Sequence, residues 1–83
     1  MKYHAKIEVS LKPGHSNPEG ETIFHLLKEL GYKVQAVDVS KVYAVILEAP
    51  TLQEAKIKSE EMSKRLLANP TKDNYTISVD EQK

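Results

Sequence analysis

The sequence predicts an α+β domain of the ferredoxin-like β-α-β-β-α-β order: a four-stranded antiparallel sheet with two helices on one face and the other face used for oligomerisation. Three observations predict it. Apolar and polar residues alternate over 3–11 and again over 75–80, two helical stripes have marked starts near 18 and 52, and a Val-, Ile- and Tyr-rich stretch lies between them. The 83 residues leave room for one domain, 1–83, and not for two. A chain this small buries only about 60% of its unfolded surface, so association is expected before any motif is read.

In the first strand Tyr3, Ala5, Ile7, Val9 and Leu11 take one phase, while Lys2, His4, Lys6, Glu8, Ser10 and Lys12 take the other. Pro13-Gly14 breaks it. Asn17 as N-cap, Pro18 at the first helical position and Glu19 and Glu21 in the first turn then open a helix over 18–30. Ile23, Leu26, Leu27 and Leu30 form its apolar stripe, and Gly31 follows where a left-handed residue is wanted. Residues 32–39 and 41–48 read as two strands of a hairpin reversing at 38–41; because no Asn-Gly or Asp-Gly marks the turn, a single long bent strand is the alternative. The second of these strands is apolar in both phases, with Tyr43, Val45 and Leu47 against Val42, Ala44 and Ile46, so both of its faces want cover. The uncovered sheet face is therefore expected to meet another copy or another subunit.

Thr51-Leu52-Gln53-Glu54 is a capping-box pattern that starts a second helix near 52. Leu52, Ala55, Ser59, Met62 and Leu66 share one face, Lys and Glu fill most of the rest, and Asn69-Pro70 stops it. Tyr75, Ile77 and Val79 alternate with Thr76, Ser78 and Asp80 in a closing strand, followed by the polar residues Glu81, Gln82 and Lys83.

Composition excludes several functions. Lys plus Arg and Asp plus Glu both number 12, and the single arginine is Arg65, whereas a nucleic-acid binder normally shows a basic excess; no nucleic-acid partner is expected. The absence of cysteine rules out disulfides, thiolate metal sites and a Cys nucleophile, and suits a cytoplasmic protein. No apolar run suggests a signal peptide or a membrane span, so a soluble chain with no membrane partner is expected.

Catalytic chemistry finds no foothold either. His4, His15 and His25 fall on a strand, a loop and a helix with no ligand spacing, so solvated histidines are expected and no metal site. Glu19/Glu21 and Glu60-Glu61 read as solvated or dipole-complementing charges. None of Ser10, Ser16, Ser40, Ser59, Ser63 and Ser78 sits in a G-x-S-x-G turn, and no phosphate loop occurs. The acylphosphatase activity found on this fold needs an arginine after the first strand, where Lys12-Pro13-Gly14-His15 offers none. RNA recognition on this fold needs aromatics on the open face, where the first strand shows Lys2, His4, Lys6 and Glu8. Backbone N–H groups at the start of the first helix, with Gly20 allowing close approach, offer an anion site, against which Glu19 and Glu21 already neutralise that end.

Several segments in order resemble the PurS family: Val9-Ser10-Leu11-Lys12-Pro13-Gly14, Asn17-Pro18-Glu19-Gly20-Glu21-Thr22-Ile23, Leu30-Gly31-Tyr32, Val37-Asp38-Val39-Ser40-Lys41 and Leu66-Leu67-Ala68-Asn69-Pro70. The resemblance covers nearly the whole chain. Departures from the family pattern are Asn17 for Asp, Glu19 for Gln, Asp38 for Arg, Ser40 for Gly and Ser63 for Cys. It implies a non-catalytic subunit of phosphoribosylformylglycinamidine synthase in purine biosynthesis, an ATP-dependent C–N ligase with glutamine as nitrogen donor. Such a chain bridges a PurQ-type glutaminase and a PurL-type synthetase as a homodimer or higher homo-oligomer, with ATP and Mg on the large synthetase subunit and no cofactor of its own. The resemblance marks Asn17, Pro18, Gly20, Lys41, Asn69, Pro70 and Tyr75 as candidate partner-contact or family-motif positions. The alternative from another class is a small-molecule-sensing regulatory domain of the ACT type, which has the same element order.

Overall fold

A computed structural model describes residues 1–15 and 17–82; Ser16, among the serines weighed above, and Lys83, in the polar C-terminal segment, lie outside the described residues. Three strands and two helices follow one another as β1 (Lys2–Leu11), α1 (Pro18–Glu29), β2 (Lys41–Glu48), α2 (Leu52–Met62) and β3 (Asp73–Glu81), with a π-helical turn, Ser63–Leu67, continuing α2. The sheet is antiparallel in the order β2-β1-β3. Ala5 stands opposite Val45 on one side and Val79 on the other, and Ile7 opposite Tyr43 and Ile77, so the alternation read in the sequence places one apolar face on all three strands.

That face carries the core. Tyr3, Ala5, Leu47, Ala49, Val79 and the helical Ala55 form one cluster, and Ile7, Val9 and Ala68 a second. The opposite face, with His4, Lys6 and Glu8 on β1 and Val42, Ala44 and Ile46 on β2, has no helix packed over it among the described residues.

Two expectations are corrected. Among the described residues the sheet has three strands, because 32–39 forms no ladder. The acceptors of this segment are turned toward the start of α1: Val39 O accepts from Asn17 Nδ2 at 3.1 Å, and Val37 O lies close over Gly20. Secondly, the helices do not share one sheet face. Only α2 packs on the sheet, over β1 and β3. α1 leaves it, and Gly20 is its one buried residue.

The helix ends follow their sequence signals. Asn17 Oδ1 accepts from Gly20 N at 3.1 Å with Pro18 at the first helical position, and Thr51 Oγ1 accepts from Glu54 N at 3.1 Å. Gly31 takes φ of 96°; its N–H donates to Lys28 O and that of Tyr32 to Leu27 O, which is a Schellman closure. Along α2 and into the π-helical turn, the buried Ser59 and Ser63 hydroxyls donate to Ala55 O and Ser59 O at 2.8 and 2.9 Å. Serines bonded back in this way bend helices, and the ladder widens here, with Ala68 N donating to Ser63 O. The wider turn rotates Leu67 toward the core and leaves Leu66, expected inside, 83% exposed.

Candidate partner-binding site

One end of the sheet gathers the C-terminus of β1, the starts of β2 and β3 and the N-terminus of α1. The loop after β1 is fixed by Lys12, whose N–H donates to Lys72 O at 2.7 Å and whose Nζ donates to Pro70 O at 2.9 Å. The loop before β3 is closed on itself. Asn69 Oδ1 accepts from Thr71 N at 2.9 Å, Asn69 N donates to Asp73 Oδ2 at 2.9 Å, and Asp73 N returns to Asn69 O at 2.8 Å. Asn17 joins the third loop, since one amide group caps α1 through its oxygen and holds Val39 through its nitrogen.

Between these loops lie two adjoining clefts, of about 240 Å³ and 480 Å³. The smaller is floored by Val9, Tyr43 and Leu67 and rimmed by Asn17, Lys41 and Lys72; the larger runs along Lys12–Gly14 to Asp38 and Ser40. Ser40 Oγ donates to Glu8 Oε2 at 2.7 Å, tying the start of β2 to β1. Lysines (Lys12, Lys41, Lys72) and carboxylates (Glu19, Asp38, Asp73) both line these clefts, so the surface suits hydrogen bonding and charge matching with a partner more than capture of one ion.

Of the seven candidate positions, Asn17, Pro18, Gly20, Lys41, Asn69 and Pro70 all stand at this end of the molecule. Asn17, Gly20 and Asn69 build the loops; Lys41 is exposed on the rim of the smaller cleft. Tyr75 lies further along β3 and its hydroxyl donates to Glu60 Oε1 at 2.6 Å, which fastens β3 to α2. That bond to a carboxylate, with some desolvation and the nearby charge, holds the Tyr75 hydroxyl above its ordinary pKa of 10.0.

Sequence reasoning missed Lys12 as the clasp between two loops and Glu60 as the partner of Tyr75. Lys12 carried a signal, since it lies inside the Val9–Gly14 segment that resembles the family; Glu60 carried none beyond its place on a helix. The three histidines stay apart, His4 on the open sheet face, His15 in the loop after β1 and His25 beside Phe24 on α1. Among the described residues no three His, Asp or Glu side chains gather as a metal site would require. Among the described residues no helix is long and apolar enough to cross a membrane.

Comparison with known proteins gives a consistent result. Residues 4–81 match the family model described as PurS, phosphoribosylformylglycinamidine (FGAM) synthase. A phosphoribosylformylglycinamidine synthase subunit PurS from Methanocaldococcus jannaschii is 40% identical over 79 residues, 94% of this chain and 95% of that protein. The solved structure of Thermus thermophilus PurS superposes with a TM-score of 0.89 at 34% identity, covering all of both chains. A chain in the structure of PurLQS from Thermotoga maritima gives a TM-score of 0.87 at 25% identity over 96% of this chain and 99% of that one.

Proposed function

The chain belongs to the PurS family of phosphoribosylformylglycinamidine synthase subunits, and from that premise we propose that it bridges a PurL-type synthetase and a PurQ-type glutaminase without contributing a catalytic group. The observation that carries the reading is the family match over 4–81. The PurLQS structure, whose PurS-like chain has the same fold, supports the two partners. The match over 4–81 reaches every element of the fold, which favours the bridging subunit over a free-standing regulatory sensor.

In this reading the chemistry runs on the partners. The glutaminase releases ammonia, and the synthetase, holding ATP and Mg, activates the amide oxygen of its substrate. This chain supplies contact, through Asn17, Pro18, Gly20, Lys41, Asn69, Pro70 and Tyr75 or the loops they build. It acts as one domain, in the cytoplasm, as a homodimer or higher homo-oligomer. The fourth strand of the ferredoxin-like arrangement forms only in that assembled state.

Mixing this chain with the two partner subunits in the presence of nucleotide and glutamine tests the reading by size-exclusion chromatography. The expected result is a three-component peak that loses the glutaminase when this chain is omitted. A glutaminase–synthetase complex of equal stability without it would overturn the proposal.

A further inference from the structure

Lys12 is engaged through all of its polar groups. Its N–H donates to Lys72 O at 2.7 Å, its carbonyl accepts from His15 N at 3.3 Å, and its Nζ donates at 2.9 Å to Pro70 O, 58 positions away in the chain. The first bond carries the β1–β3 pairing one step past its last pair, Leu11 with Asp73. The second turns the loop after β1, and the third crosses to the loop before β3, beyond the end of the ladder.

The 69–73 loop keeps its own shape without Lys12. Asn69 closes it, accepting from Thr71, Lys72 and Asp73 and donating to the Asp73 carboxylate. What these local bonds cannot set is where the closed loop sits relative to residues 12–15, and the Lys12 side chain links the two. That link contributes little to the free chain. It is exposed to water, and it confines a long side chain to one arrangement. Lys12 belongs to neither buried apolar cluster and forms no ion pair among the described residues. A partner seated on this end removes the water, and an ammonium–carbonyl bond strengthens as its surroundings dry. A bond that is weak in the free chain and strong in a complex acts on docking more than on folding.

We propose that Lys12 is a positioning residue for the synthase reaction: through Pro70 O it holds the 69–73 loop at one spacing from the loop after β1, and a synthase partner docks on the two loops together. This rests on the bridging reading and names a residue through which it works. The clefts give the spacing its meaning. Lys12 and Gly14 line the larger, Lys72 and Asp73 the smaller, and Ser10 and Leu11 line both. A shift of one loop against the other therefore reshapes the surface offered to the partner.

The test titrates wild type, Lys12→Met and Lys12→Arg into fixed amounts of glutaminase and synthetase while the glutamine-dependent rate is followed. Methionine keeps an apolar stem and removes the donor; arginine keeps a charged donor. Lys12→Met is expected to need about three- to tenfold more protein for half-maximal rate, with the plateau unchanged, and Lys12→Arg is expected to restore the wild-type titration. In the isolated chain, amide exchange should quicken at Lys72 and Asp73 in Lys12→Met and stay as in wild type at Ile7 and Val9. A Lys12→Met titration that matches wild type overturns the inference, as does an arginine variant no better than the methionine one, or exchange that quickens equally at Ile7 and Val9, which would make the bond one of general stability. A wild-type chain that adds nothing to the rate at any concentration fails the bridging reading, and this inference with it; failure of the Lys12 variants to differ from an active wild type fails this inference alone.

Discussion

Replacing Gly20 by alanine sets two effects of opposite sign against each other. Alanine favours a helix interior over glycine by about 1 kcal/mol, so on propensity alone Gly20→Ala would stabilise α1. A β-carbon at this position, however, would lie 2.5 Å from Val37 O and 3.4 Å from Asn17 Cγ. The first neighbour is backbone and cannot rotate aside, so α1 and residues 37–39 must separate. Overpacking of this kind costs about 1–3 kcal/mol, and the separation weakens the Asn17 Nδ2 bond to Val39 O, worth about 1 kcal/mol. The net expectation is destabilisation by about 1–3 kcal/mol. Urea denaturation of Gly20→Ala reads the total, with Thr22→Ala on the exposed side of α1 as the control. Hydrogen exchange should rise first at residues 17–21 and 37–40. A Gly20→Ala protein as stable as wild type, with unchanged exchange there, would refute the close packing of residues 37–39 on the start of α1.

Ile7, fully buried between the strands and Ala68, should lose about 2–5 kcal/mol as Ile7→Ala; a loss under 1 kcal/mol in chemical denaturation would show the core is not centred there. Tyr75 should ionise above the ordinary tyrosine value when tyrosinate absorbance is followed. Its raised pKa means the bond to Glu60 is intact at neutral pH, stays fully present below the ordinary value of 10.0, and is lost as pH rises through the raised one. Glu60→Gln should bring that titration down, and an unchanged profile would count against the bond. Lys41→Glu leaves the fold intact, since its side chain is exposed on the cleft rim, and should weaken assembly with the partner subunits by on the order of tenfold; unchanged assembly in a pull-down would remove Lys41 from the contact surface.

What was legible in the sequence was local. The alternation of Tyr3 to Leu11 fixed β1 and its buried face, because a period of two is set within the strand itself. Asn17, Thr51 and Gly31 marked helix ends correctly because each cap bonds groups only a few residues away. Residues 32–39 failed as a strand because a strand exists only beside another edge, and no local pattern says whether that edge belongs to the same chain. The α1 stripe announced burial without saying against what, so the second helix on the sheet was expected and is not there. Leu66 was placed inside by a 3.6-residue period that the π turn after Ser63 interrupts. The site positions, scattered from Asn17 to Pro70, could be marked only by family resemblance; it is the antiparallel order β2-β1-β3 that brings the end of β1 and the starts of β2 and β3 together.

The most direct measurement of the central claim compares two nitrogen sources in the reconstituted synthase. With this chain present, the synthetase and glutaminase should form formylglycinamidine ribonucleotide from glutamine. With it omitted, the glutamine-dependent rate should collapse while the rate with free ammonia, which needs no bridge, persists. A glutamine-dependent rate unchanged by its omission would contradict a bridging role, and loss of the ammonia-dependent rate as well would contradict a subunit that takes no part in the synthetase's own chemistry.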